Sequence, residues 1–514
     1  MSYSVKSVNK ASVVKQLAIA CFLLAGLLTL QNGYAANQQA AIAMPDKHSA
    51  QVAQAVLLKG GNAVDAAVAS AFVLAVTYPE AGNLGGGGFM TLYTPNLPTP
   101  TKEQTAMHFL DYREKAPKLA SEKMYLDEKQ QVIPYKSLVG YQASGVPGTV
   151  MGLWQAHQRF GSMPWSQLLQ PAIQFAQKGF EVSPQLANRS QWFQSWIADK
   201  SATPLNFSDY FGALQVGQIF KQPELAKTLQ RIAKQGVKEF YFGETAQRLV
   251  KQMQQNNGLI TLEDLAAYQA QWRQPIIGHW KGREIVSAPP PSSGGIAIVQ
   301  LLKMKQLLED KLNQALREAP QNGLSEQAVK THFYAELEKR VYADRAHFLG
   351  DPDFVEVPSQ KLIDDDYLAK RAQGVLLDEI SESEQIKPGK IELPETTHFS
   401  IIDAQGNAVS NTYTLNMPFG SGVVIEGAGF LMNDEMKEVL FETIGDIFEK
   451  MAFMFSEVAE DDEMADDLEA LRADMSYMGE TSGGRIWLAV DAEGNTIAAY
   501  RATDDKSRVL IRVK

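Results

Sequence analysis

Pro394-Glu395-Thr396-Thr397-His398-Phe399-Ser400-Ile401-Ile402-Asp403 reads as a strand that opens on two hydroxyl residues directly behind a charged linker. A threonine becomes a useful nucleophile when the bond before it is cut, because its freed α-amine then serves as general base beside its own hydroxyl. Thr396 is the candidate for that role. The strand runs into the turn Ala404-Gln405-Gly406-Asn407 and returns as Ala408-Val409-Ser410-Asn411-Thr412-Tyr413-Thr414-Leu415-Asn416, which predicts a β-hairpin. With Asp403 facing Asn407, Thr414 falls opposite Thr396, and such cross-strand partners share a face with Cβ atoms about 5 Å apart. A second hydroxyl then lies within reach of the first and can orient its Oγ. Pattern alone also describes a threonine-rich surface hairpin, since threonine is an ordinary strand residue.

The remainder of the chain bears on that choice. Upstream stand Gly60-Gly61-Asn62-Ala63-Val64-Asp65-Ala66-Ala67, Pro79-Glu80-Ala81-Gly82-Asn83-Leu84-Gly85-Gly86-Gly87-Gly88-Phe89-Met90 and Asp111-Tyr112-Arg113-Glu114-Lys115-Ala116-Pro117. Ala143-Ser144-Gly145-Val146-Pro147-Gly148-Thr149, Pro289-Pro290-Pro291-Ser292-Ser293-Gly294-Gly295 and Gly350-Asp351-Pro352-Asp353-Phe354 follow in order. Over about residues 40–436 these segments resemble the γ-glutamyltranspeptidases, N-terminal-nucleophile hydrolases made as one precursor that cuts itself in two. The resemblance implies an α/β (α+β) fold, the αββα sandwich, here with the small-subunit part truncated and a short α+β tail appended. It also implies self-cleavage before Thr396, attack of Thr396 on the γ-carbonyl of glutathione or a related γ-glutamyl amide, and a γ-glutamyl ester resolved by water or by an acceptor amino acid or dipeptide. By the same resemblance Thr414 orients Thr396, Arg113 holds the substrate carboxylate, and Asn416 and Glu435 bind its amino group. No metal or organic cofactor is implied, and the large and small fragments are expected to stay associated.

Composition is compatible with this. A chain of 514 residues suggests two or three domain-sized units, and 45% hydrophobic residues can bury a substantial interior. The net charge of -11 offers no basic field for a phosphate backbone, so no nucleic-acid partner is expected. Lys6, Lys10 and Lys15 precede the apolar run from Leu17 to Leu28, and the small-x-small site Gly33-Tyr34-Ala35 follows. That order predicts a secretory signal peptide cut after Ala35 and a secreted or periplasmic protein. The apolar run is shorter than the ~20 residues of a membrane span. The single cysteine, Cys21, falls inside this segment, so the mature chain has no thiol for a disulfide or a metal. The expected division is 1–35 signal peptide, 36–395 large-subunit region, 396–436 nucleophile hairpin and start of the small-subunit region, and 437–514 acidic tail.

Ser49 to Ala75 predicts two helices, the second starting near Asn62 with Gly60-Gly61 as the stop between them. The four glycines at 85–88 invite a nest of N–H groups around an anion. The lysine and hydroxyl residue that open the helix of a phosphate loop are missing, and Phe89–Tyr93 reads as a strand, so close strand packing is the expected use. Met107–Tyr112 is strand-like and delivers Arg113, whose planar guanidinium suits a carboxylate held by two parallel hydrogen bonds. Glu379, Glu382 and Glu384 form a solvated charge run in a linker. The 7 histidines show no zinc spacing. His398 hints at a Ser-His-Asp arrangement but is read as a residue that supports the site from behind or is structural, on the ground that neighbouring strand residues point to opposite faces.

The family pattern continues through Gly427-Ala428-Gly429-Phe430-Leu431-Met432-Asn433-Asp434-Glu435-Met436 and then fades. Glu438 stands where the family would place an aspartate, the family's serine pair is absent, and Ser482-Gly483-Gly484 only mimics its Gly-Gly oxyanion turn. Lys437 to Phe455 predicts an amphipathic helix, and Gly483–Val490 with Thr496–Ala499 predicts a hairpin. This tail loosely resembles part of a CheX-like chemotaxis phosphatase domain. Two further readings therefore stand beside the enzyme: a catalytically impaired secreted relative or binding protein, and a regulatory module.

Overall fold

The computed structural model describes residues 40–97, 106–121, 123–381, 386, 397–436, 487–490, 496–499 and 509–513. Thr396, the signal-peptide segment, most of the linker before Thr396, Glu438, the helix expected from Lys437 and the Ser482-Gly483-Gly484 turn lie outside these residues.

The strands in chain order are β1 Ala40–Met44, β2 Gly87–Tyr93, β3 Met107–Asp111, β4 Phe180–Glu181, β5 Ile219–Phe220, β6 Gln271–Arg273, β7 Ile276–Trp280, β8 Arg283–Ser287, β9 Thr397–Ile402, β10 Ala408–Thr414, β11 Trp487–Val490, β12 Thr496–Ala499 and β13 Val509–Val513. Seven of them make one antiparallel sheet in the order β13-β1-β9-β10-β2-β3-β6. The other pairs, β4-β5, β7-β8 and β11-β12, form two-stranded sheets. β11-β12 is the hairpin expected in the tail. β13, which pattern reading did not single out, pairs with β1 at the sheet edge.

Helices pack on one face of the large sheet. Lys47–Leu58 lies against β1, and Ala63–Thr77 lies against β9 and β10. Ala63–Thr77 is buried along its whole length, as expected of a sequence that is apolar on every side. Its start is set by Asn62, whose side chain accepts the amides of Val64 and Asp65 while Asp65 returns a bond to the Asn62 amide, a reciprocal capping box. Gly60, at φ 86°, turns the chain between the two helices, as read from the sequence. On β10, Val409, Asn411 and Tyr413 are buried beneath this helical layer, and the Tyr413 hydroxyl donates to the carbonyl of Ala71 at 3.0 Å. Ser410, Thr412 and Thr414 alternate onto the opposite, more open face.

The mixed α/β architecture is as expected. Among the described residues one large sheet and its helical layer are present, and no second large sheet. A helical lobe with its own core follows the β7-β8 hairpin: Gly294–Leu307, Glu309–Glu318, Glu326–Phe348 and Asp365–Gln373 bury Met304, Phe333, Leu337, Val341 and Leu368.

Candidate active site

The hairpin register fixes where β10 ends. Ala408 pairs with Ile402, and the pairing steps regularly to Tyr413 opposite Thr397. The Asp403 amide donates to the Asn407 carbonyl at 2.9 Å, as the turn reading requires. The next pair in this register is 396 with 414, and position 396 lies outside the described residues. One expectation is corrected by the same alternation. His398 pairs with Thr412, and its Nδ1 lies 2.6 Å from the Thr412 Oγ1, on the open face of β10. Positions 396 and 398 have the same parity, so a strand carrying both presents them on one side. The alternation argument does not separate His398 from Thr396, although its contacts with Thr412, Ser400 and Ser410 are those of a surface network.

Beyond β10 the chain turns sharply. Asn416 adopts φ 78°, a left-handed conformation that asparagine tolerates better than most residues. Its amide donates to the Thr414 Oγ1 at 2.7 Å, which fixes the hydroxyl that the sequence assigned to orienting the nucleophile. Asp434 holds the turn from the other side. Its Oδ1 accepts the Met417 amide at 2.9 Å, its own amide donates to the Leu415 carbonyl at 3.0 Å, and the Asn416 Nδ2 reaches its carbonyl oxygen at 3.3 Å.

Asn433 ties this assembly to the glycine run. Its amide nitrogen donates to the carbonyls of Gly85 (2.7 Å) and Gly145 (2.9 Å), and its oxygen accepts the amides of Gly145 (2.8 Å) and Glu435 (3.0 Å). That uses the full bonding capacity of a buried amide. The glycines serve close packing, as expected: a Cβ on Gly85, Gly86 or Gly88 would strike the carbonyl oxygen of Leu431, Thr414 or Thr412, and one on Gly87 would strike the Glu114 carboxyl.

Arg113 arrives from the end of β3. Its guanidinium faces Glu435 at 3.5 Å, with both side chains largely buried. Its amide donates to the Asp111 Oδ1 at 3.0 Å and its carbonyl accepts the Tyr268 hydroxyl at 2.7 Å. Glu114 behind it is buried, and its carboxyl has no hydrogen-bond partner among the described residues. Burial first, and the nearby charge of Glu435 second, push that carboxyl well above the ordinary carboxylate range.

The structure thus gathers Arg113 and Glu435 into one ion pair and Thr414 and Asn416 into one turn, with Asn433 and Asp434 joining the two. Sequence reading missed Asn433, Asp434 and Glu114 as parts of the site. The available signal was three consecutive polar residues, Asn433-Asp434-Glu435, between the apolar Leu431-Met432 and Met436. Side by side, a cation and a carboxylate suit a zwitterionic α-amino-acid head, whose carboxylate and ammonium need opposite charges a few ångströms apart. Among the described residues no group of three or more His, Cys, Asp or Glu side chains is placed to hold a metal ion.

Against families of known proteins, residues 49–456 match the model of gamma-glutamyltranspeptidase. The chain belongs to the gamma-glutamyltranspeptidase family. That match reaches past Met436, where the sequence signatures fade. The chain is 51% identical over 457 residues to the glutathione hydrolase proenzyme of Pseudomonas aeruginosa, covering 89% of this chain and 77% of that protein. It is 41% identical over 405 residues to the Escherichia coli glutathione hydrolase proenzyme, covering 78% and 67%. Among solved structures, gamma-glutamyltranspeptidase from Pseudomonas nitroreducens complexed with L-DON matches with TM-score 0.59 and 53% identity, over 67% of this chain and 97% of that one. The Helicobacter pylori gamma-glutamyltranspeptidase matches with TM-score 0.59 and 38% identity, over 68% and 95%. Membership of this enzymatic family favours a transpeptidase over the impaired-relative reading.

Proposed function

We propose that the protein is a γ-glutamyl hydrolase and transferase acting on glutathione and related γ-glutamyl amides, after cutting itself between Glu395 and Thr396. The observation that carries this reading is the convergence at the end of β10: the Arg113–Glu435 pair and the Thr414–Asn416 turn are joined through Asn433 and Asp434, beside a hairpin whose described register ends at the Thr397–Tyr413 pair. Hydrolysis of the 395–396 peptide bond consumes one water and frees the Thr396 amine. That amine takes the proton of its own hydroxyl as Oγ attacks the γ-carbonyl carbon. The C–N bond breaks, the amine product leaves with the proton, and a γ-glutamyl ester remains. Water resolves the ester by hydrolysis, or the amine of an acceptor amino acid or dipeptide resolves it by transfer; either restores the hydroxyl. Arg113 takes the substrate carboxylate, while Glu435 and Asn416 take its ammonium. The apolar run ahead of Ala35 supports export as a secreted or periplasmic precursor whose two fragments stay together.

Intact mass and N-terminal sequencing of the purified protein, together with hydrolysis of a γ-glutamyl anilide, test the reading. A fragment beginning Thr-Thr-His-Phe and release of the aniline are expected. An uncut chain that hydrolyses the anilide would remove Thr396 as nucleophile, and a cut chain without hydrolysis would remove the substrate class.

A further inference from the structure

The Gly350-Asp351-Pro352-Asp353-Phe354 segment lies beyond the helix Glu326–Phe348, in the lobe, and has no part in the chemistry above. Asp353 nevertheless grips Arg273 with both oxygens, at 2.8 Å to Nη1 and 3.0 Å to Nη2. The third face of the same guanidinium, Nε, donates to the Asp111 Oδ2 at 2.7 Å. The other oxygen of Asp111 accepts the amide of Arg113. β6, which carries Arg273, is hydrogen-bonded to β3, which ends at Asp111. Arg273 is mostly buried and Asp111 more so, so the inner half of this relay is shielded from solvent.

We infer that Asp353, Arg273 and Asp111 form a positioning relay that sets the backbone of Arg113 from the helical lobe, and so determines how tightly the site holds the carboxylate of a γ-glutamyl donor. This rests on the role proposed for Arg113. A guanidinium fork has fixed geometry, so its usefulness to a carboxylate depends on where its stem leaves the backbone. Asp111 has two oxygens and divides them between the Arg113 amide and Arg273; removing Arg273 frees it to turn away from that amide. Lysine in place of Arg273 retains the charge but cannot bond Asp111 and both oxygens of Asp353 in one plane. None of the three residues touches the reacting atoms, so the loss falls on donor binding.

Arg273→Lys and Asp353→Asn, assayed in the full self-cleaved protein on a γ-glutamyl anilide, test this. KM is expected to rise roughly tenfold, the scale of one charge-assisted hydrogen bond, with kcat changed much less. In the double variant with Arg113→Lys, the relay substitution is expected to add little, because the fork it positions is already gone. L-Glutamate binding by calorimetry reads the same relay without turnover, and its affinity should fall by a similar factor. Unchanged KM and glutamate affinity in both variants would overturn the relay, as would a loss confined to kcat or full additivity with Arg113→Lys. A wild-type protein that neither hydrolyses the anilide nor binds glutamate would overturn the role of Arg113, and the relay's function with it.

Discussion

The Glu114 carboxyl sits in surroundings that suit its charged form poorly. It is buried beside Glu435 and, among the described residues, its carboxyl has no hydrogen-bond partner, so burial and then repulsion raise its pKa well above the ordinary carboxylate range. Its folded pKa lies above its unfolded value. The stability it contributes is therefore full below the ordinary carboxylate pKa, about 4.3, and is lost as pH rises from there through the folded pKa. Glu114→Gln keeps the shape without the titration. Its melting temperature should fall less than that of the wild type as pH increases across that window; parallel curves would mean that Glu114 ionises as freely in the fold as out of it. Around it the proposed chemistry divides by residue. Thr396→Ala should abolish both self-cleavage and anilide hydrolysis, while Thr396→Ser retains part of each because a hydroxyl survives; gel mobility and turnover read the two. Thr414→Ala should slow both steps, since its hydroxyl is pinned by the Asn416 amide at the end of the hairpin. Equal rates in Thr414→Ala and wild type would remove it from the mechanism. Arg113→Lys should raise KM more than it lowers the melting temperature, because a point charge replaces a fork.

At the scale of elements, Glu336 organises one end of the helical lobe. Fully buried, it receives Lys339 (2.8 Å), Arg340 (2.9 Å) and the amide of Ser381 (3.1 Å). Glu336→Ala strands the buried Arg340 and should cost about 3–5 kcal/mol, the usual penalty for breaking a buried pair. Chemical denaturation measures it, and a loss below about 1 kcal/mol would show that the pair behaves as if solvated. Elements of this kind differ in how far sequence reveals them. The β9-β10 hairpin was legible because period-two alternation flanks a Gly-containing turn, and its register followed from the Asp403–Asn407 closure. The helix from Ala63 was legible because Gly60-Gly61 stops the preceding helix just ahead of Asn62, and the structure adds that Asn62 and Asp65 close a capping box there. What escaped was non-local. The Asn433 bonds to Gly85 and Gly145 span 348 and 288 residues, and the Asp111–Arg273 pair spans 162. No periodicity encodes such partners; they exist only once the sheet is assembled. For His398 the alternation rule was the wrong ground, because it separates neighbouring residues and not positions two apart.

On the scale of the whole molecule, the family match runs over residues 49–456, and the described part of the tail beyond it consists of β11, β12 and β13. That tail is more than an appendage at the level of the backbone, since β13 pairs along all five residues of β1. Taken with the proposed cut before Thr396, the strand order has a mechanical consequence. Reading across β13-β1-β9-β10-β2-β3-β6, the strands belong in turn to the downstream fragment, the upstream one, the downstream one again, and the upstream one for the rest. The two products of the cut are thus interlaced, with a strand of each wedged between strands of the other. Neither can slide out along an interface, because there are three seams to open at once: β13-β1, β1-β9 and β10-β2. The cut protein should run as one particle in native sizing and melt in one transition, its fragments parting only in denaturant; fragments that separate by dilution alone would refute the interlacing. A severed backbone of this topology behaves as a knotless clasp, in which losing a covalent bond removes connectivity without removing cohesion.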